Sequence, residues 1–323
     1  MLFSVLIPNR GYKESFRKCI QSIKNQVVNG NFSYELIVCD QSDPEDREKI
    51  SSTLLEILGN NNYKLIPSRD RGVLISRHKL IQEAKGEYIV FIDSDDYVED
   101  SYLSNIYNFL SKYKFPDIFI HNFCFESEEG IKPNILPEMV KDNIFDYFLY
   151  SDLLNSVVVK TFKKKLYDFS DYTDFSTQNG DDWVLSYPMM KKAKTIVADF
   201  SFCGYFYQVN NESVTHAISV DVAKRTLSFR VGYKEFETIN KNQNRIFTKH
   251  YISTFNYLLR RLTLNGVSKK EKISFVKYAR NLIFKEMNCS KIKFLSKREN
   301  MSYLLLKFRF YSFIVSLFVR FKG

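Results

Sequence analysis

The chain has 323 residues, 45% of them hydrophobic and 16% aromatic, with no low-complexity tract and no internal repeat. That suffices for one large folded domain or two, and it excludes disordered, collagen-like and solenoid classes. The net charge of +10 hides an asymmetry: residues 1–223 carry 24 Lys/Arg against 32 Asp/Glu (−8), and residues 224–323 carry 23 against 5 (+18). We therefore expect two parts, an α/β body over residues 1–221 and a basic helical region over 222–323. The five cysteines (Cys19, Cys39, Cys124, Cys203 and Cys289) are scattered and form no C-x-x-C pair. This argues against a disulfide framework or zinc site and for a reducing compartment.

Phe3 to Ile7 is an apolar run closed by Pro8, and it reads as a first strand rather than a secretory leader. Residues 12–27 place Phe16, Cys19, Ile20, Ile23 and Val27 at helical spacing. Tyr34 to Cys39 predicts a second strand, ending in Asp40-Gln41-Ser42-Asp43, and a helix follows over about residues 44–58, with Pro44 in its first turn. Tyr63 to Ile66 reads as a short strand and Gly72 to Ala84 as a helix. Strand and helix alternate at βαβ length, which predicts a mainly parallel sheet covered by helices.

The central feature is Gly86-Glu87-Tyr88-Ile89-Val90-Phe91-Ile92-Asp93-Ser94-Asp95-Asp96, a turn glycine, a buried-strand run and three closely spaced carboxylates. Ligands of open α/β sheets bind beyond the carboxyl ends of the strands. Crowded acids there suit a hard divalent cation, but Asp is also a favoured helix N-cap, and residue chemistry alone leaves both readings open. Asn9-Arg10 and Asp40-Gln41-Ser42 end two other strands at the same edge. No G-x-G-x-x-G follows the first strand and no G-x-x-x-x-G-K-[ST] occurs, which argues against a dinucleotide or P-loop site.

In this order the segments Cys19-Ile20-Gln21-Ser22-Ile23-Lys24-Asn25-Gln26, Glu35 to Ser42, Gly72 to His78 and Gly86 to Asp96 resemble the nucleotide-sugar domain of family-2 glycosyltransferases, inverting enzymes of the GT-A fold. The resemblance implies that Pro8 lines the base pocket and that Asp40 accepts from a uracil or other pyrimidine ring. It implies that Arg77 faces the nucleotide-sugar and that Asp93, Ser94 and Asp95 contact it. It further implies a Mn²⁺ or Mg²⁺ held by Asp95 and Asp93 with support from Asp96. Asn9-Arg10-Gly11, Gln41 and His78 depart from the family pattern.

Farther along, residues 100–112 read as a helix, Asp117 to His121 as a strand, and Val157 to Lys160 as another. Lys163-Lys164-Lys165 reads as a solvated loop, with contact to a phosphorylated acceptor as the alternative. Gly180-Asp181-Asp182-Trp183 precedes a helix, and paired acids there cap it well. The resemblance instead implies that Asp182 is the general base, with Asp181 beside it. Trp183 reads as core, with stacking on a sugar face as the alternative. His216, in a stretch similar to the family's Y-x-Y-R-x-x-x-x-S-x-T, is either an ordinary structural histidine or a further ligand of the metal.

Residues 222–323 read as helices over about 222–240, 245–264, 269–287 and 299–321. In Lys307 to Lys322, Arg309, Ser312, Ser316 and Arg320 make a polar stripe on an otherwise aromatic and aliphatic helix, too short to span a bilayer. It reads as lying on an anionic membrane surface, the alternatives being packing on its own domain or a homo-oligomer contact. The expected activity is metal-dependent transfer from a nucleotide-diphosphate sugar, UDP-linked by preference, to a surface glycan or lipid-linked acceptor. The expected place is the cytoplasmic side of the cell membrane. A sugar-1-phosphate nucleotidyltransferase and a non-catalytic basic adaptor are the competing readings. No nucleic-acid motif is present.

Overall fold

The computed structural model describes residues 2–60, 62–128, 130–134, 144, 148, 155–172, 181–208, 218–232, 241–286 and 297–319. They fall into two compact units, the first made of Met1–Phe145, Leu153–Ser176 and Asp181–Val209. The second runs mainly from Asn210 onward, earlier in the chain than the boundary expected at 222.

In the first unit, β1 (Phe3–Asn9), β2 (Tyr34–Asp40), β3 (Lys64–Pro67) and β4 (Tyr88–Phe91) are parallel, linked by α1 (Glu14–Lys24), α2 (Pro44–Leu58) and α3 (Val73–Glu83). After β5 (Tyr97–Val98) and α4 (Tyr102–Lys112) come β6 (Ile118–Ile120), β7 (Cys124–Ser127), β8 (Gly130–Pro133) and β9 (Lys160–Lys163). Helix α5 (Asp181–Lys192), β10 (Ile196–Ala198) and β11 (Tyr205–Gln208) complete the unit. The main sheet has seven strands in the order β10-β6-β9-β4-β1-β2-β3, and β9 runs antiparallel to both its neighbours. A second, four-stranded sheet has the order β5-β11-β7-β8.

The register explains how the sheet edge becomes a site. Asn9 of β1 pairs with Asp40 of β2, and Asp40 with Pro67 of β3, so the ends of these three strands lie level and the polar ends of β1 and β2 adjoin. Tyr88, Ile89, Val90 and Phe91 are all buried, as a strand covered on both faces requires. Pro8, in the body of β1, removes no ladder bond: its nitrogen side faces β4, whose pairing with β1 has already ended at Phe91. The start of β4 is pinned tightly. A Cβ added to Gly86 would meet Ser4 N at 2.5 Å and Phe3 C at 2.6 Å. The Gly86 N–H also donates to Ser4 Oγ at 2.8 Å, so only glycine lets the chain approach β1 this closely.

Several expectations need correction. Val157 to Val159 form a 3-10 turn, and the strand begins only at Lys160. The Lys163-Lys164-Lys165 patch is not a loop but a strand end and a 3-10 turn, with Lys165 still largely solvated. Lys163 ends β9 and lies 3.6 Å from Asp117, Lys164 Nζ donates to the Ala84 carbonyl, and Lys165 pairs with Asp117 at 3.2 Å. Because β9 is antiparallel and Lys163 sits opposite Tyr88, this patch lies at the start of β4, the end opposite the acids. Cys124 and Cys203 are joined as a disulfide with Cα atoms 6.1 Å apart, a pairing their scatter did not suggest; Cys19 and Cys39 are buried free thiols.

The second unit holds α6 (Val220–Gly232), α7 (Lys241–Leu264), α8 (Lys269–Glu286), α9 (Lys297–Lys307) and α10 (Tyr311–Val319). Leu258, Leu259, Leu262, Phe275, Val276, Ala279 and Ile283 are buried at helical spacing and form its core. The single helix expected over 299–321 is two: the chain breaks at Arg309, whose φ of +64° no helix accommodates. Ile314 and Val315 of α10 are buried, and α10 packs on α7, α8 and α9. Self-packing therefore holds for one face of that segment. No helix among the described residues is long and apolar enough to cross a membrane.

Candidate active site

Arg77 organises the site. It projects from α3 with its side chain 3% exposed, and Nη2 donates to Asp93 Oδ1 at 3.1 Å. Its Nη1 donates to both Asp181 Oδ2 and Asp182 Oδ1 at the start of α5. One guanidinium thus joins the end of β4 to an acid pair about a hundred residues later in the chain, a task suited to its planar, multiply donating geometry. Arg77 Nε is buried without a hydrogen-bond partner among the described residues. The three carboxylates hold the guanidinium charged more firmly than usual, against the opposing effect of burial.

The acids themselves are crowded. Burial first, then the neighbouring carboxylates, push Asp93 up to about 6 and Asp181 up to about 7, while Arg77 pulls both down. Simple capping does not account for Asp181 and Asp182, since both side chains are turned onto Arg77.

The D-x-D carboxylates separate by role. Asp95 is half-buried and has no hydrogen-bond or ion-pair partner among the described residues, and Asp93 is 31% exposed. Asp96, expected to support the metal, points the other way. It is 1% exposed, with Oδ2 accepting from Tyr205 Oη at 2.6 Å and Oδ1 from the Gln208 N–H at 2.9 Å. Asp96 therefore anchors β11 to the end of β4, and Tyr205 Oη also accepts from the Asp93 N–H at 3.2 Å. Ser94 lies half-buried between the two outward acids.

Among the described residues no group of three His, Cys, Asp or Glu side chains is placed to hold a metal ion by itself. His216 lies outside the described residues. Asp95 and Asp93 present hard oxygen donors at the sheet edge, which fits Mg²⁺ or Mn²⁺. Such ions commonly take one or two carboxylates and complete their shell with water and substrate phosphate.

Asp40 and Pro8 are buried at the same edge. Asp40 Oδ1 accepts from Asn9 Nδ2 at 3.2 Å, from the Ser42 N–H at 3.0 Å and from Ser42 Oγ. Oδ2 accepts from Arg47 Nε at 3.1 Å and keeps a second lone pair. Gln41 shapes the loop ahead of α3, donating to the Gly72 carbonyl at 3.1 Å and accepting from the Gly72 N–H at 3.0 Å.

Sequence reasoning missed Lys160. It opens β9, is wholly buried, donates to the Ser156 carbonyl at 2.5 Å, and feels Asp182 and Arg77. Burial pushes its ammonium down to about 7. A lysine following three valines was the available signal. Trp183 is fully buried and stacks on Tyr187 with ring centroids 4.7 Å apart, so it belongs to the core.

The profile of the family described as "Glycosyl transferase family 2" matches residues 4–172, which include β1 to β4 and the D-x-D. The chain belongs to glycosyl transferase family 2. Among relatives of this transferase, the poly(ribitol-phosphate) beta-N-acetylglucosaminyltransferase TarP of Staphylococcus aureus is 25% identical over 250 residues, 76% of this chain and 72% of that protein. The poly(ribitol-phosphate) beta-glucosyltransferase of Bacillus spizizenii is 28% identical over 227 residues, 66% of this chain but only 33% of that protein. Residues 1–349 of S. aureus TarS superpose with a TM-score of 0.67 at 14% identity, covering 98% of this chain and 90% of that one. The same fragment has been solved in complex with UDP-GlcNAc, with a TM-score of 0.60 over 88% of this chain. At such identity the likeness concerns the fold: the glycosyltransferase has a GT-A-like α/β sheet followed by helices. Family membership sets aside the nucleotidyltransferase reading.

Proposed function

We propose that this glycosyltransferase moves a sugar from a UDP-linked donor to a hydroxyl of a cell-surface polymer, a poly(polyol-phosphate) or related glycan, with inversion at the anomeric carbon. The observation that carries this reading is the Arg77 junction, which brings the D-x-D acids and the Asp181-Asp182 pair around one cation at the carboxyl edge of the sheet. Relatives named for poly(ribitol-phosphate) glycosyl transfer support the acceptor class, and a UDP-GlcNAc complex of TarS supports the donor class. A lipid-linked or membrane-held acceptor would put the reaction at the cytoplasmic face of the cell membrane.

In this reading Pro8 and the remaining lone pair of Asp40 meet the base, and Asp93 and Ser94 meet the ribose and diphosphate. Asp182 accepts the proton of the acceptor hydroxyl as its oxygen attacks the anomeric carbon. The bond from that carbon to the diphosphate oxygen breaks on the opposite face, and UDP leaves. Asp181, whose carboxyl burial and the neighbouring acids push up against the pull of Arg77, stands beside the base and shares the Arg77 Nη1 donor with it. A bound Mn²⁺ or Mg²⁺ on Asp95 and Asp93 would supply positive charge to the leaving diphosphate.

Two substitutions separate binding from chemistry. Asp182→Asn should keep UDP affinity in calorimetry and lose at least ~100-fold in transfer, the usual scale of a general base. Asp95→Ala should lose the Mn²⁺-dependent part of UDP binding. An Asp182→Asn enzyme that transfers at the wild-type rate moves the base to another residue, and metal-enhanced UDP binding that survives Asp95→Ala removes the metal from that carboxylate.

A further inference from the structure

The last two helices of the basic unit turn an apolar stripe outward. On α9, Ser302, Tyr303 and Leu306 are buried, whereas Met301 and Leu304 are 50% and 49% exposed. At 3.6 residues per turn, positions 297, 301, 304 and 308 fall on one narrow line. The Phe308 N–H still donates to the Leu304 carbonyl at 2.9 Å, so that line continues past the end of α9. After the break at Arg309, α10 buries Ile314 and Val315 and leaves Ser312, Phe313 and Ser316 outside. Phe308, Phe310 and Phe313 are 61%, 57% and 55% exposed.

A helix pair packed on its own unit ordinarily shows water its polar side. Here the exposed residues include three phenylalanines, a leucine and a methionine, accompanied by Lys297, Arg298, Lys307, Arg309 and two serines, Ser312 and Ser316. Between residues 297 and 323 the sole acid is Glu299, and it is buried. That charge selects the occupant. A second copy of this chain would bring like charge against like, whereas an anionic bilayer brings opposite charge and accepts aromatic and aliphatic side chains at its acyl boundary.

We propose that the stripe of Met301, Leu304, Phe308, Phe310 and Phe313, rimmed by Lys297, Lys307 and Arg309, seats the chain on an anionic lipid surface. The inference rests on the membrane-face location proposed above and is independent of the transfer chemistry. Its elements lie flat in the interface, since neither helix is long enough to cross.

The test is co-sedimentation of the full chain with phosphatidylcholine vesicles, with or without about 30% phosphatidylglycerol. UDP binding is measured on the same samples. Binding should require the anionic lipid and weaken with salt. It should fall at least ~10-fold in Leu304→Ser/Phe308→Ser/Phe313→Ser and in Lys297→Glu/Lys307→Glu, while UDP affinity stays unchanged in both. Wild type that ignores anionic vesicles, or variants that bind as well as wild type, overturns the proposal. So does a wild-type oligomer in light scattering that the triple substitution dissociates, because the stripe then belongs to a second copy. A chain that binds vesicles but not UDP instead counts against the donor reading alone.

Discussion

Arg77 spends one side chain on three acids, and its removal is informative because two distinct penalties follow. Asp93, Asp181 and Asp182 would be left half-buried, mutually repelling and without their cation. Arg77→Met should therefore destabilise the fold by roughly 3–5 kcal/mol near pH 8, the scale for breaking a buried ion pair. The sign of the pH effect follows from the direction of the shifts. In the intact protein Asp93 and Asp181 already sit high, at about 6 and about 7, so their folded-state penalty belongs to high pH and is relieved as pH falls through those values. Without Arg77 they rise further, so the difference in melting temperature between variant and wild type should shrink as pH falls from 8 toward 5. Thermal melts across that range check it, and a deficit that is constant with pH would mean Arg77 acts through packing alone. The acids were visible in the sequence as D-x-D and Asp181-Asp182, because carboxylates at strand and helix ends leave a local pattern. Their union on Arg77 was not visible, nor was the inward turn of Asp96. Each depends on which way a side chain points across the fold, as Asp96 does toward Tyr205 and Gln208 of a distant strand.

At the scale of elements, β4 holds the site in register, and its position is set at the opposite end by Gly86. The Glu35 carboxylate accepts from Ser4 Oγ at 2.6 Å, from the Lys85 N–H at 2.5 Å and from the Gly86 N–H at 3.2 Å, so three segments meet where β4 begins. A methyl group at 86 would strike backbone atoms of β1, which cannot rotate away. Gly86→Ala should cost about 1–3 kcal/mol, the range for overpacking a filled core, and should weaken UDP binding although residue 86 lies at the far end of the strand. Chemical denaturation and calorimetry on one sample check both effects, and full stability in Gly86→Ala would show that β1 and β4 can separate there. The helices of the body were legible because their apolar faces repeat, as in Phe16, Cys19, Ile20 and Ile23 of α1, although Val27, expected on that face, lies past the helix end and is exposed. The break at Arg309 was not, since its residues carry neither Gly nor Pro; the arginine takes the left-handed capping position instead, and the Phe310 N–H closes the helix end on the Leu305 carbonyl at 2.9 Å. Lys163 to Lys165 misled for a related reason: only the antiparallel direction of β9 carries them to the wrong end of the sheet for substrate phosphate.

For the whole molecule, the charge asymmetry read from composition coincides with a division into units that each own a hydrophobic core. Sheet residues such as Leu6, Val38, Val90 and Phe162 fill one, and Leu258, Leu259, Phe275 and Ile283 fill the other. Two cores of this kind need not melt together, and two-state behaviour commonly fails in chains so divided. The chain carries its own reporter, because its one tryptophan, Trp183, is buried against Tyr187 in the first unit. Fluorescence of Trp183 should follow the α/β unit, while far-UV circular dichroism also follows the helices α6 to α10. We expect the two urea transitions not to coincide. On the proposed donor reading, saturating UDP with Mn²⁺ should stabilise the folded first unit and move the fluorescence midpoint upward, by about 2.7 kcal/mol in stability when ligand is a hundredfold above its Kd. The part of the dichroism signal that comes from the helical unit should stay in place. Superimposable transitions that move together with ligand would show instead that the two units unfold as one cooperative body.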